Sequence, residues 1–138
     1  MANRKKLDLK RDLKSVTQEL AGLHRELASQ TILLASQTGQ TAPLIEAVSA
    51  LRNARELYSL DAAPRANAEV QQALADTLLT LGRTNDDVQA LEAAVDAYRG
   101  AITLASMLGD EPMRRALKKN YARARDLLGS RSTRRGAA

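Results

Sequence analysis

From Leu9 onward the apolar residues recur at alternating steps of four and three: Leu9, Leu13, Val16, Leu20, Leu23 and Leu27, then Leu34, with Gln30 interrupting the series. That spacing is a heptad seam and predicts one face of a long helix. The turn cluster TGQTAP, residues 38 to 43, closes it: Gly39 suits a helix end, Thr41 a cap, and Pro43 the first turn of a second helix. The second helix is expected to reach about Leu60, since Pro64 disfavours helical geometry at Ala63. A third then runs from Pro64 to Arg83, with Val70, Leu74, Leu78 and Leu81 on one face. TNDD, residues 84 to 87, offers side-chain oxygens to cap a fourth helix, and Asp86 or Asp87 places negative charge at its positive end. The fourth ends near Gly109, and a fifth follows from Glu111 to Leu128, closed by Gly129, with Asp110 and Glu111 reading as its cap. The pattern is all-α, with about five helices.

Two of these helices echo each other. Shifted by 47 residues, Leu27 falls on Leu74, Ala28 on Ala75, Leu34 on Leu81, Leu44 on Leu91, Ala47 on Ala94 and Val48 on Val95. The register continues without a gap through Ala50 on Ala97, Arg52 on Arg99, Ala54 on Ala101 and Leu57 on Leu104. A second shift puts Ala122 on Ala75, Leu128 on Leu81 and Gly129 on Gly82, with Tyr121 in place of Leu74. A period of this size that survives turns points to stacked helical hairpins. The copies span about 20–60 and 66–108, with a half copy at 112–130. Residues 1–19 form an N-terminal helical extension, and the tail 131–138 has too little apolar content to order itself, so it is expected to be a disordered basic tail.

The segment LADTLLTLGRTNDDVQALEAAVDAYRGAI, Leu74 to Ile102, resembles a bacterial long variant of the tetratricopeptide repeat. The residues that carry the likeness are Leu74 with Ala75, Leu81 with Gly82, then Leu91, Glu92, Ala94, Val95, Ala97, Tyr98, Arg99 and Ala101. Over 27–57 the likeness is thinner, with Ala35 at the second glycine and Leu51 at Tyr98; residues 1 to 20 lie outside it. The resemblance implies a short right-handed α-solenoid that binds a protein segment in a groove lined by the first helix of each hairpin. Carried across, the groove-facing places are Arg25, Ser29, Gln72, Asp76, Lys119 and Arg123. A shorter register, with Gly82 in the place of Ala75, would line the groove differently. Small Ala94 and Ala101 beside Tyr98 let helices approach closely while the ring fills the gap, which makes Tyr98 a core residue.

Composition narrows the functions. The 138 residues are 44% hydrophobic, without Phe, Trp or Cys and with only three tyrosines, so the core is built from Leu, Ala, Val and Ile. Disulfides, thiolate catalysis and Cys-containing zinc sites are excluded. His24 is the single histidine, without a partner for a metal pair or proton relay, and reads as a surface or boundary residue. The glycine in LLTLGRT has no phosphate-binding loop around it. No nucleophile–base arrangement, metal cluster or cofactor fingerprint is present, so neither enzymatic activity nor a cofactor is expected. With no signal-peptide pattern and no run of about 18 apolar residues, a cytoplasmic protein without a membrane span is expected.

Charge is unevenly distributed. Residues 1–14 carry six Lys or Arg against two Asp, residues 112–138 nine against one, and the middle six against thirteen. The fifth helix concentrates Arg114, Arg115, Lys118, Lys119, Arg123 and Arg125. This basic patch favours an acidic protein segment, while nucleic acid through the same residues and the tail is the alternative partner. Tyr121 is the single aromatic residue among these cations, which argues against a base-stacking platform. The heptads of the first helix could pair two chains into a homo-oligomer or join a larger assembly, or else pack within the chain. The repeat register assigns the seam from Leu20 onward to packing within the chain, leaving mainly Leu7 to Val16 for a dimer.

Overall fold

The computed structural model describes residues 2–57 and 63–137, with side chains described over 5–6, 8–53 and 63–131. Tyr58 and the expected last turn of the second helix, to Leu60, lie outside the described residues. Five helices follow in order: α1 Ala2–Thr38, α2 Ala42–Leu57, α3 Pro64–Thr84, α4 Val88–Leu108 and α5 Glu111–Ala137. There is no strand among the described residues. Among the described residues no helix is long and apolar enough to cross a membrane.

Each boundary has a local cause. Gly39 takes φ 75° and its N–H donates to the Ala35 carbonyl at 2.7 Å, ending α1 in a left-handed turn that glycine adopts without a Cβ penalty. Ala63 takes φ 59° ahead of Pro64, which occupies the first position of α3 where its missing N–H costs nothing. Asp87 caps α4 by accepting the Ala90 N–H, and Asp110 caps α5 by accepting the Met113 N–H. α5 does not stop at Leu128: it runs through Gly129 to Ala137.

The helices pack as hairpins. The closest pairing is α3 with α4, followed by α4 with α5 and α1 with α2, while α1 also touches α3 and α2 touches α4. Small residues set these approaches. A Cβ on Gly82 would meet Leu91 side-chain atoms at 3.0 Å, so α3 and α4 come together where only hydrogen fits. Leu74, Leu78, Leu91, Leu104, Leu117 and Tyr98 fill the centre. On α5, Leu117 and Ala124 are buried, and Met113, Tyr121 and Leu128 lean against the same core, as their spacing requires.

Polar contacts between residues far apart in the chain tie the helices together. The Thr41 hydroxyl donates to Asp87 Oδ2 at 2.7 Å, and Asn85 Nδ2 donates to the Gly39 carbonyl at 3.2 Å, so the two hairpin turns are tied side by side. Arg25 bonds Asn67, Arg52 pairs with Asp96 and Arg65 pairs with Asp110. Arg131 reaches back to the Asp86 carboxylate and to the carbonyls of Gly82 and Arg83, fastening the end of α5 to the α3–α4 turn. These bonds join residues 42 to 49 positions apart in the chain.

The heptad seam departs from the sequence expectation. Leu9, Leu13, Val16, Leu20, Leu23, Leu27 and Leu34 are all exposed, and α1 instead buries Ala21, Ala28 and Ala35. The assignment of the seam from Leu20 onward to packing within the chain is therefore wrong. Alanine at every seventh residue lets α2 and α3 approach the α1 backbone closely on one face, and that face takes the intramolecular contact. The leucines, about a third of a turn away, are left outside.

Candidate protein-interaction groove

The first helices of the hairpins, α1, α3 and α5, supply the expected groove residues. A depression of about 320 Å³ lies between α1 and α3, lined by Ser36, Asp76, Thr77, Thr80 and Leu81. Thr77 and Thr80 turn their hydroxyl protons back to the carbonyls of Ala73 and Asp76, as Ser36 does to Ile32, leaving oxygen lone pairs toward the depression.

Asp76 links this surface to the core. The Tyr98 hydroxyl, on α4, donates to Asp76 Oδ1 at 2.5 Å. Burial of the ring, then the hydrogen bond and the negative charge of Asp76, push the Tyr98 phenol well above its ordinary range. Arg123 on α5 pulls in the opposite direction, so its charge reaches the same spot. Tyr98 is core, as its spacing indicates, and its hydroxyl also fixes the orientation of a carboxylate that lines the depression.

The six sequence-derived groove residues divide. Asp76 is engaged by Tyr98, and the Arg25 guanidinium donates to Asn67 Oδ1 at 3.1 Å, so both are tied into the fold. Gln72 is half-buried. Ser29 is exposed and bonds its own helix at the Arg25 carbonyl. Lys119 and Arg123 are exposed, one turn apart on α5, with no ion pair among the described residues. Of the six, Asp76 and Arg123 both act on the Tyr98 phenol, Asp76 raising it and Arg123 lowering it.

The basic helix does not form one patch. Arg114 lies 3.4 Å from Glu111, and Arg115 donates to the Glu111 carbonyl at 3.5 Å. Arg125 lies over the Tyr121 ring, with Arg99 within similar range and its Nε donating to the Tyr121 hydroxyl at 3.2 Å. That hydrogen bond, chiefly, lowers the Tyr121 phenol below its usual range. Lys118, Lys119 and Arg123 remain as the exposed cations without such engagement.

Two features were missed in the sequence. The Arg131 clamp was assigned to a tail with no expected order, although its separation from Asp86 matches the repeat period. A larger cavity of about 390 Å³ lies among α2, α3 and α4, lined by Val48, Leu51, Gln71, Leu74 and Ala97 with the Arg52–Asp96 pair at its wall. Among the described residues no group of three or more His, Asp or Glu could hold a metal ion. No family model matches the chain, and neither does any curated protein or solved structure.

Proposed function

We propose that this protein is a non-enzymatic protein-interaction module, a short tetratricopeptide-like solenoid that receives a partner segment in the groove formed by α1, α3 and α5. The observation that carries this reading is a depression between α1 and α3 lined by Ser36, Asp76, Thr77 and Thr80, with Lys119 and Arg123, which make no ion pair among the described residues, on α5. The hydroxyl oxygens accept hydrogen bonds from the partner's backbone N–H groups, and the two cations favour an acidic stretch within it. The hydrogen bonds among the hairpin turns, and Tyr98 holding Asp76, order the groove before binding, so little conformational entropy remains to be lost.

The test is affinity capture from the native cell extract with the wild type and with a Lys119→Glu/Arg123→Glu double variant. This reading requires a captured protein that the variant loses while keeping its helicity. Capture that is unchanged by charge reversal contradicts it. Binding of random duplex DNA or RNA at low salt, abolished by the same double variant, would instead favour a nucleic-acid partner.

A further inference from the structure

The leucine face of α1 is uncovered along its whole described length. Its heptad letters follow from the spacing: Leu13, Leu20, Leu27 and Leu34 stand at a, and Leu9, Val16, Leu23 and Gln30 at d. All the apolar members are exposed, and Leu33 beside them is exposed as well. From Lys5 to Leu20 every described side chain is exposed except half-buried Thr17. That stretch of α1 therefore buries little against the described residues, and an isolated helix of this length is marginal in water.

We infer that α1 pairs with α1 of a second copy of this chain, as a parallel, in-register, two-stranded coiled coil over Leu9 to Leu34. A repeat of 3.5 residues sustained over this many positions matches a helix that carries the same repeat. Two strands follow from the flanks. α2 stands beside one flank: half-buried His24 and Thr31 at e border a depression with Leu27 and with Pro43, Ala47 and Leu51 of α2, which leaves less room there for a third helix.

Direction follows from polarity and charge. In an antiparallel pair each d position faces an a position, and every a position from 13 to 34 is leucine, so Gln30 would be buried against a leucine. In the parallel pair Gln30 meets the partner's Gln30, and the two amides can bond each other. The g positions 12, 19 and 26 are Asp12, Glu19 and Glu26. Antiparallel pairing sets g against g and brings acids together. Parallel pairing sets them against the partner's Thr17, His24 and Thr31, and its one like-charged pair, Lys5 with Lys10, falls at the end of the seam. The alanine face of α1 stays on α2 and α3 throughout, so the groove and the dimer seam use different sides of the same helix.

The absence of cysteine makes the test direct. In sedimentation equilibrium the full chain should rise from 15.0 kDa toward twice that mass as concentration increases. A Leu20→Lys/Leu27→Lys variant should keep its helicity in α2 to α5 and remain at the monomer mass over the same range. Under mild oxidation Leu23→Cys alone should give a covalent dimer, whereas Gln18→Cys, on the other side of α1, should not. A mass of 15.0 kDa at every concentration, or a dimer that survives the double lysine variant, would overturn the pairing. Cross-linking only in a mixture of Leu20→Cys with Leu23→Cys would overturn its parallel direction. Each of these results leaves the groove reading standing, because that reading is tested at Lys119 and Arg123.

Discussion

Leu27 and Leu74 lie 47 residues apart, one shift of the sequence pattern, yet Leu74 is completely buried and Leu27 is 62% exposed. Leu74 has α2 of the preceding hairpin beside it, where it shares a cavity wall with Val48 and Leu51. Leu27 has no described helix on that side. Leu74→Ala should therefore destabilise the fold by about 2 to 5 kcal/mol, through lost burial and the void left behind. Leu27→Ala should change it by less than about 0.5 kcal/mol. Urea denaturation in dilute solution, where any dimer is dissociated, measures both.

Tyr98 gives the stability of the fold an alkaline limit. Its phenol is raised above the ordinary value of 10.0 by burial and by Asp76, so the folded state holds a proton that the unfolded chain releases. That contribution is complete below about pH 10 and is lost as pH rises beyond it toward the folded value. Tyr98→Phe should cost about 1 kcal/mol at neutral pH, since Asp76 loses its donor, and should flatten the decline above pH 10. Urea midpoints of the two proteins between pH 8 and 11 give the comparison.

Arg131 should hold the far end of α5. Its side chain is 16% exposed and engages Asp86 together with two carbonyls at the end of α3. Replacement by alanine frees those acceptors and should cost about 1 kcal/mol, because Asp86 itself is largely solvated. Amide exchange should accelerate in the last turns of α5 and in the α3–α4 turn, and remain unchanged in α1.

Two glycines should respond with opposite signs. Gly82→Ala forces a Cβ into Leu91 at 3.0 Å and should lose about 1 kcal/mol or more, despite the better helix propensity of alanine. Gly129→Ala has open space around the new methyl group and lies inside α5, so it should gain up to about 1 kcal/mol. Thermal unfolding of both variants beside the wild type checks the pair.

Helix starts and stops were legible because local chemistry sets them: Gly39, Pro64, Asp87 and Gly109 act within a few residues of their own position. The end of α5 was not, because Gly129 only permits a stop, and Arg131, bonded to a turn 45 residues away, lies in the stretch that continues. The seam shows a second limit. Periodicity marks which face of α1 is apolar, but the face that packs is chosen by how closely neighbours approach, and three alanines outcompete seven larger residues. In the groove, Tyr98 was recognisable as core from its small neighbours, whereas the acceptor of its hydroxyl, 22 residues away on another helix, follows only from the packed structure.

In the proposed pairing, one face of α1 is closed by its own chain and another by a second copy. Hydrogen exchange along α1, followed at several protein concentrations, measures this directly. Residues 9 to 20 should be protected at high concentration and should lose that protection on dilution, while α3 and α4 exchange slowly and independently of concentration. Exchange at 9 to 20 that does not change with concentration would contradict it.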